Sequence, residues 1–161
     1  MSDTSLEHEA GNRAALGRFL MRVAPWVTQL QRQVLGQLDP PLGFAQYSVL
    51  ARLGRGTVSM SELRARSIVA VSTLSETTTS LARLGLVKRV SSERDRRSVD
   101  LYLTERGREV LTSAESAMDD LAASLLEGVR EPTPEELSEL LGPLSDRVRR
   151  VLTEYEHGAD S

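Results

Sequence analysis

Leu84-Gly85-Leu86-Val87-Lys88-Arg89, then Ser91-Ser92-Glu93-Arg94-Asp95-Arg96-Arg97-Ser98, then Val99-Asp100-Leu101-Tyr102-Leu103-Thr104 is the stretch on which the reading of this chain turns. Gly85 ends a run of helical periodicity, and glycine is the residue that most readily takes the left-handed backbone of a helix terminus. An apolar strand leaves it, a short charged loop reverses the chain, and the returning strand alternates Val99, Leu101 and Leu103 with Asp100 and Tyr102. Period-two alternation marks a half-buried strand, so the spacing predicts a β hairpin placed directly after a helix. Arginines and a lysine crowd its tip and the strand entering it. Such a hairpin is either an ordinary solvated turn or an arm that reaches DNA phosphates and the minor groove.

What precedes the hairpin favours the arm. Phe44 to Leu53 reads as a short helix with Tyr47, Leu50 and Leu53 inward, ended by Gly54 and Gly56. Met60 to about Ser67 makes a second, with Ser59 or Ser61 as its cap and Leu63 buried. Ser72 can cap a third that runs to Leu84 with Leu74, Leu81 and Leu84 on its inner side. Two short helices joined by a few residues make a helix-turn-helix, whose second member enters the major groove. With the hairpin as its wing, residues 43–104 are expected to form a winged helix-turn-helix domain.

The flanks are long helices. Between Gly11 and Leu38 the apolar residues Leu16, Phe19, Leu20, Val23, Val27, Leu30 and Val34 recur at three- and four-residue steps, with a kink or break expected at Pro25. Asp39-Pro40-Pro41 stops this helix. Thr104 caps a helix from Glu105 to about Glu127 with Val110, Leu111, Ala114, Met118, Leu121 and Leu125 as its stripe. Thr133-Pro134-Glu135-Glu136 is a capping box opening the last helix, whose apolar face is Leu137, Leu140, Leu141, Leu144, Val148, Val151 and Leu152, interrupted at Gly142-Pro143. These stripes pack on one another within one chain or pair with a second copy, and their length favours the second copy. The fold class expected is therefore mainly α with a small β hairpin, residues 1–40 and 105–161 forming a helical dimerisation domain.

Charge follows the same division. The 161 residues carry a formal net charge of −3, yet from Phe44 to Arg108 twelve bases face six carboxylates, a net of +6. From Ser113 onward four arginines face twelve carboxylates, a net of −8. A basic module on an acidic scaffold is the electrostatic footprint of a nucleic-acid binder. With no cysteine, disulfides and thiolate metal sites are excluded. No apolar run approaches a membrane span, and the polar, acidic start is unlike a secretory signal, so a cytoplasmic protein with no membrane partner is expected.

Leu81-x-x-Leu84-Gly85-Leu86-Val87-x-Arg89, Asp95-Arg96-Arg97 and Leu103-Thr104-x-x-Gly107 together resemble the MarR family of bacterial transcription regulators, and the resemblance runs from about Leu16 to Tyr155. It implies a homodimer that binds double-stranded DNA at a pseudo-palindromic operator, most often as a repressor released by a small aromatic or anionic effector. By position, Asp95 would brace the wing against arginine, Arg97 would enter the minor groove, and Arg94 and Arg96 would contact phosphates. Ser72, Thr73, Ser75, Glu76 and Thr77 would face the major groove. Arg22 (or Arg18), Trp26, Tyr47 and Met118 lie near where relatives form their ligand cavity. Two departures stand out: Ser67-Ile68 occupies the place where the family often has Leu-Gly, and Glu76 falls where an arginine is common. Glutamate can accept a hydrogen bond from cytosine, but it repels phosphate.

Enzymatic chemistry is not expected. His8 and His157 are the only histidines and stand at opposite ends, and no phosphate-cradling glycine loop or His-Glu-x-x-His occurs. No catalytic residue, cofactor or metal is assigned. Two alternatives remain open: a zinc-responsive regulator using Glu7, His8, Glu9, Glu154, Glu156 and His157, and a winged helix that has lost operator binding and docks a protein partner.

Overall fold

The computed structural model describes the backbone of residues 3–56, 58–66, 71–91 and 99–158. Six helices and three strands follow in the order α1 (Asp3–Gly36), α2 (Phe44–Gly54), β1 (Val58–Ser59), α3 (Met60–Arg66), α4 (Val71–Arg83), β2 (Val87–Ser91), β3 (Val99–Leu103), α5 (Glu105–Leu125) and α6 (Pro134–Gly158). By contacts the chain divides into two units, Met1–Leu125 and Leu126–Ser161. Among the described residues no helix is long and apolar enough to cross a membrane.

In the first unit the hairpin forms as its alternation requires. β2 and β3 pair antiparallel from Val87↔Leu103 to Ser91↔Val99, and Leu101 is fully buried while Tyr102 is exposed. β1 was not legible as a strand: two residues are too short to show a period. It pairs Val58 with Leu101 and Ser59 with Asp100, which makes β3 the centre of a three-stranded sheet. Leu35, Leu50, Leu74, Leu81, Leu86 and Leu101 are the large apolar side chains fully withdrawn from water, drawn from α1, α2, α4, the turn before β2, and β3.

Three expectations are corrected. α1 is one helix through Pro25, which overturns a break into two helices there, and α6 likewise continues through Pro143. A proline fits helical φ; its penalty is the lost amide and the crowding of the carbonyl four residues back. Pro25 faces the carbonyl of Met21, a residue 74% exposed, where water can take the place of the missing donor. The Thr28 hydroxyl donates to the Ala24 carbonyl at 2.9 Å in the same turn. Glu139, opposite Pro143, is likewise exposed. Third, α4 begins at Val71, so Ser72 stands inside its first turn instead of capping it.

Other caps are those the residues predict. The Ser59 hydroxyl accepts from the Glu62 amide at 3.1 Å while the Glu62 carboxylate accepts from the Ser59 amide at 3.0 Å. Thr133 and Glu136 make the same reciprocal pair at the head of α6, at 3.2 and 2.8 Å. Arg130 and the Thr133 amide, both bound to Glu136, hold its carboxyl below the usual carboxylate range.

One junction joins the trailing end of α4 to the leading end of α5. Gly85, at φ +71°, closes α4 with the paired bonds Leu86 N to Leu81 O and Gly85 N to Ala82 O, both 3.0 Å. The Thr104 hydroxyl donates to the Gly85 carbonyl at 2.7 Å and accepts from the Gly107 amide at 2.9 Å. The Thr104 amide donates to Leu86 O at 3.1 Å. Gly107 lies so close to this strand that an added Cβ would fall on the Leu86 carbonyl oxygen. In an exposed helix glycine to alanine stabilises by roughly 0.5–1 kcal/mol. Here the sign reverses, and Gly107→Ala should destabilise by about 2–3 kcal/mol in urea unfolding, because backbone must move to admit the methyl group.

Candidate nucleic-acid interface

α4 has two faces. Leu74 and Leu81 are fully buried, and seven residues apart they define one side of the helix. Thr77 and Thr78 share that side, at 7% and 0% exposure. Thr77 was expected to face the groove; its place three residues after Leu74 and four before Leu81 turns it into the core instead. The outer face carries Thr73, Ser75, Glu76, Thr79 and Arg83, all exposed. Ser72 occupies the first turn.

Threonines disfavour a helix interior unless their hydroxyls find a partner. Thr77 donates to Thr73 O at 2.7 Å, Thr78 to Ser75 O at 3.1 Å and Thr79 to Ser75 O at 2.9 Å. The buried hydroxyls are thereby satisfied inside the helix. Gln46 of α2 donates to Ser80 Oγ at 3.2 Å, which ties α4 to the helix beneath it. Glu76 has no ion-pair partner among the described residues, Arg52 and Arg83 included.

Basic side chains reach this face from outside the first turns of the helix. Arg83 closes α4, and Lys88 and Arg89 are exposed on β2. The Arg89 guanidinium donates to the Thr79 hydroxyl at a long 3.5 Å, so β2 delivers a cation beside α4. Thr79 and Arg89 were not among the site residues expected. Thr79 was findable, since it stands three residues after Glu76 on the same face; the Arg89 contact depends on how the hairpin packs. Arg94, Asp95, Arg96 and Arg97 lie outside the described residues, and the strands that lead to and from them are in place.

Away from α4 the first unit encloses a half-open cavity of about 580 Å³ between α2, β3 and α5. Tyr47, Arg55, Tyr102, Arg108 and Glu115 are its polar walls. Arg108 is held there by Glu105 at 2.8 Å and by the Leu103 carbonyl at 3.2 Å. Burial, then the Glu115 and Asp119 carboxylates, push the Tyr47 phenol above its ordinary value, against the opposing pull of Arg55. Of the residues expected to bind an effector, Tyr47 lines this cavity. Met118 is half-buried against the core, and Arg22 and Trp26 are exposed on α1, Trp26 at 64%. No group of three or more metal-ligating side chains occurs among the described residues, and the side chains of His8 and His157 lie outside them.

A family model described as MarR family matches residues 41–98, which span α2, β1, α3, α4 and β2 and end just before β3. A search of curated proteins gives no match. Among solved structures, the transcriptional regulator BldR from Sulfolobus solfataricus is 26% identical, over 91% of this chain and 99% of that one, with a TM-score of 0.69. The C80S mutant of MarR from E. coli, complexed with operator DNA, is 25% identical over 82% of this chain and 92% of that one, with a TM-score of 0.66. BpsR of Bordetella bronchiseptica, whose DNA binding is regulated by 6-hydroxynicotinic acid, shares the fold at 22% identity and a TM-score of 0.66, over 82% of this chain and 91% of that one. The chain is thus similar to the MarR family of winged-helix transcription regulators, by the family model over residues 41–98 and by fold over most of its length.

Proposed function

We propose that the protein is a homodimeric repressor that reads a pseudo-palindromic operator and releases it on binding a small aromatic or anionic effector. The observation that carries this reading is the outer face of α4, polar and unoccupied, flanked by Arg83, Arg89 and the hairpin whose tip holds Arg94, Arg96 and Arg97. Residues 43–104 would be the DNA-binding domain. Ser72, Thr73, Ser75 and Glu76 would meet base edges, Asp95 would brace the wing, and the arginines would supply affinity. Likeness to a relative solved on its operator supports the assignment.

Residues 1–40 and 105–161 would form the dimerisation domain. Its support is apolar surface left open in the single chain. On α6, Leu137, Leu141, Val148 and Leu152 are 39–49% exposed along one side, with Leu144 between them. On α1, Phe19 is 59% exposed and Leu16 43%. Exposed apolar residues at helical spacing on two helices support contact with a second copy. The effector would occupy the cavity at Tyr47, reached also by Arg22, Trp26 and Met118 once the second chain is in place.

Three measurements test these parts. In a mobility shift on the DNA upstream of its own gene, Arg97→Ala should weaken binding by about 1–3 kcal/mol and Arg96→Ala should lower the salt slope by about one. Glu76→Ala should reduce discrimination at one base pair while non-specific affinity holds or rises, the signature of a cytosine contact. A parent protein that ignores both this DNA and random DNA would favour a protein-docking winged helix.

For the assembly, the parent should sediment as a dimer at micromolar concentration, and Leu144→Asp should cost both dimer and fold, since it strands a charge in an apolar interface. A monomeric parent overturns this.

For the effector, an aromatic acid should change Trp26 fluorescence and loosen the operator together. A bound anion should also push the Tyr47 phenol further above its ordinary 10.0. The folded-state value is already raised, so the unfolded chain loses this proton at lower pH. Stability from Tyr47 is therefore present below about pH 10 and lost as pH rises beyond it, and Tyr47→Phe should remove the late phenol from an absorbance titration.

A further inference from the structure

We infer that Thr104 is a positioning residue for DNA reading: its hydroxyl couples α5 to the recognition helix, so that the angle at which α4 meets the groove follows α5. The inference rests on α4 being the recognition helix, as proposed above.

The geometry has three parts. The Thr104 hydroxyl is both donor and acceptor, giving its proton to the Gly85 carbonyl at 2.7 Å and taking the Gly107 amide at 2.9 Å. One oxygen thereby joins the backbone just past α4 to the first turn of α5. Leu86 O, which accepts the Thr104 amide at 3.1 Å, presses on Gly107 with no side chain between the two backbones. Elsewhere α4 packs mainly on α2 and β2, while α5 packs mainly on α1 and α2. α2 touches both helices, and the junction adds a hydrogen-bonded link from the start of α5 to the backbone just past α4. Arg108 extends it, because its guanidinium holds Leu103 O, next to Thr104, from inside the wall of the cavity.

A cap alone needs only an acceptor, whereas the coupling also needs a donor. Three variants separate these roles. Thr104→Asp keeps an acceptor for the Gly107 amide but cannot donate to Gly85, and places a charge against that carbonyl. Thr104→Val loses both bonds at almost unchanged shape. Thr104→Ser retains both.

Each full-length protein would be compared with the parent on operator and on random DNA, at a temperature where circular dichroism shows all to be folded. The ratio of the two affinities is the readout, because the added charge of aspartate affects both DNAs alike. The inference expects the ratio to fall about tenfold in Thr104→Asp and Thr104→Val, comparable to losing one base contact, and to return in Thr104→Ser. If Thr104→Asp and Thr104→Val discriminate like the parent, whatever their melting temperatures, Thr104 is a helix cap only and the inference is overturned. If the parent itself shows no preference for operator over random DNA, the reading of α4 as a recognition helix fails first, and the coupling with it.

Discussion

The closeness of two backbones at Gly85–Leu86 and Thr104–Gly107 constrains everything around it. Three hydrogen bonds and one missing Cβ bring the end of α4 against the start of α5. β2 must leave Gly85 in one direction and β3 must return beside it to deliver Thr104, so the hairpin's register is set where its two ends meet. Val87↔Leu103 is the pair nearest this point, and pairing continues out to Ser91↔Val99.

α4 departs from a simple basic recognition helix. Its inner threonines spend their hydroxyls on carbonyls of their own helix, which lets polar residues occupy core positions without an unsatisfied group. The outer face keeps hydroxyls and one carboxylate. Positive charge arrives from neighbours instead, through Arg83 at the helix end and Arg89 from β2. In the proposed reading affinity and readout are then separable: arginines outside the groove face would attract phosphate, while Ser75, Glu76 and their neighbours would meet bases. A carboxylate among them is tolerable only with such compensation nearby.

The long helices show how local rules yield to context. Pro25 and Pro143 each remove one amide, and each sits where the abandoned carbonyl belongs to an exposed residue. The apolar stripes on either side of the prolines continue in phase, so keeping the helix continuous preserves a face that a break would scatter. Gly54 shows the same precision on a smaller scale: an added Cβ would come within 2.6 Å of a Leu111 methyl, where α2 ends against α5.

Much of this was legible in the residues. Periodicity located α2, α3, α4 and α5 to within a few positions, alternation located the hairpin, and Thr104, Thr133 and Gly85 announced their own caps, because each of these signals is local. The inward turn of Thr77 was also latent in the spacing from Leu74 to Leu81, obscured by the usual exposure of threonine. What the chain order alone did not contain were features requiring distant segments to meet. β1 exists only because β3 offers it an edge, Arg89 reaches Thr79 only because β2 packs beside α4, and the cavity at Tyr47 needs α2, β3 and α5 together. The residues by themselves determined the elements and the likeness to the family, since helix, strand and cap are written in short-range pattern. Tertiary structure decided the coupling at Thr104 and the lining of the cavity, since a hydroxyl's partners nineteen residues away are chosen by packing and not by spacing.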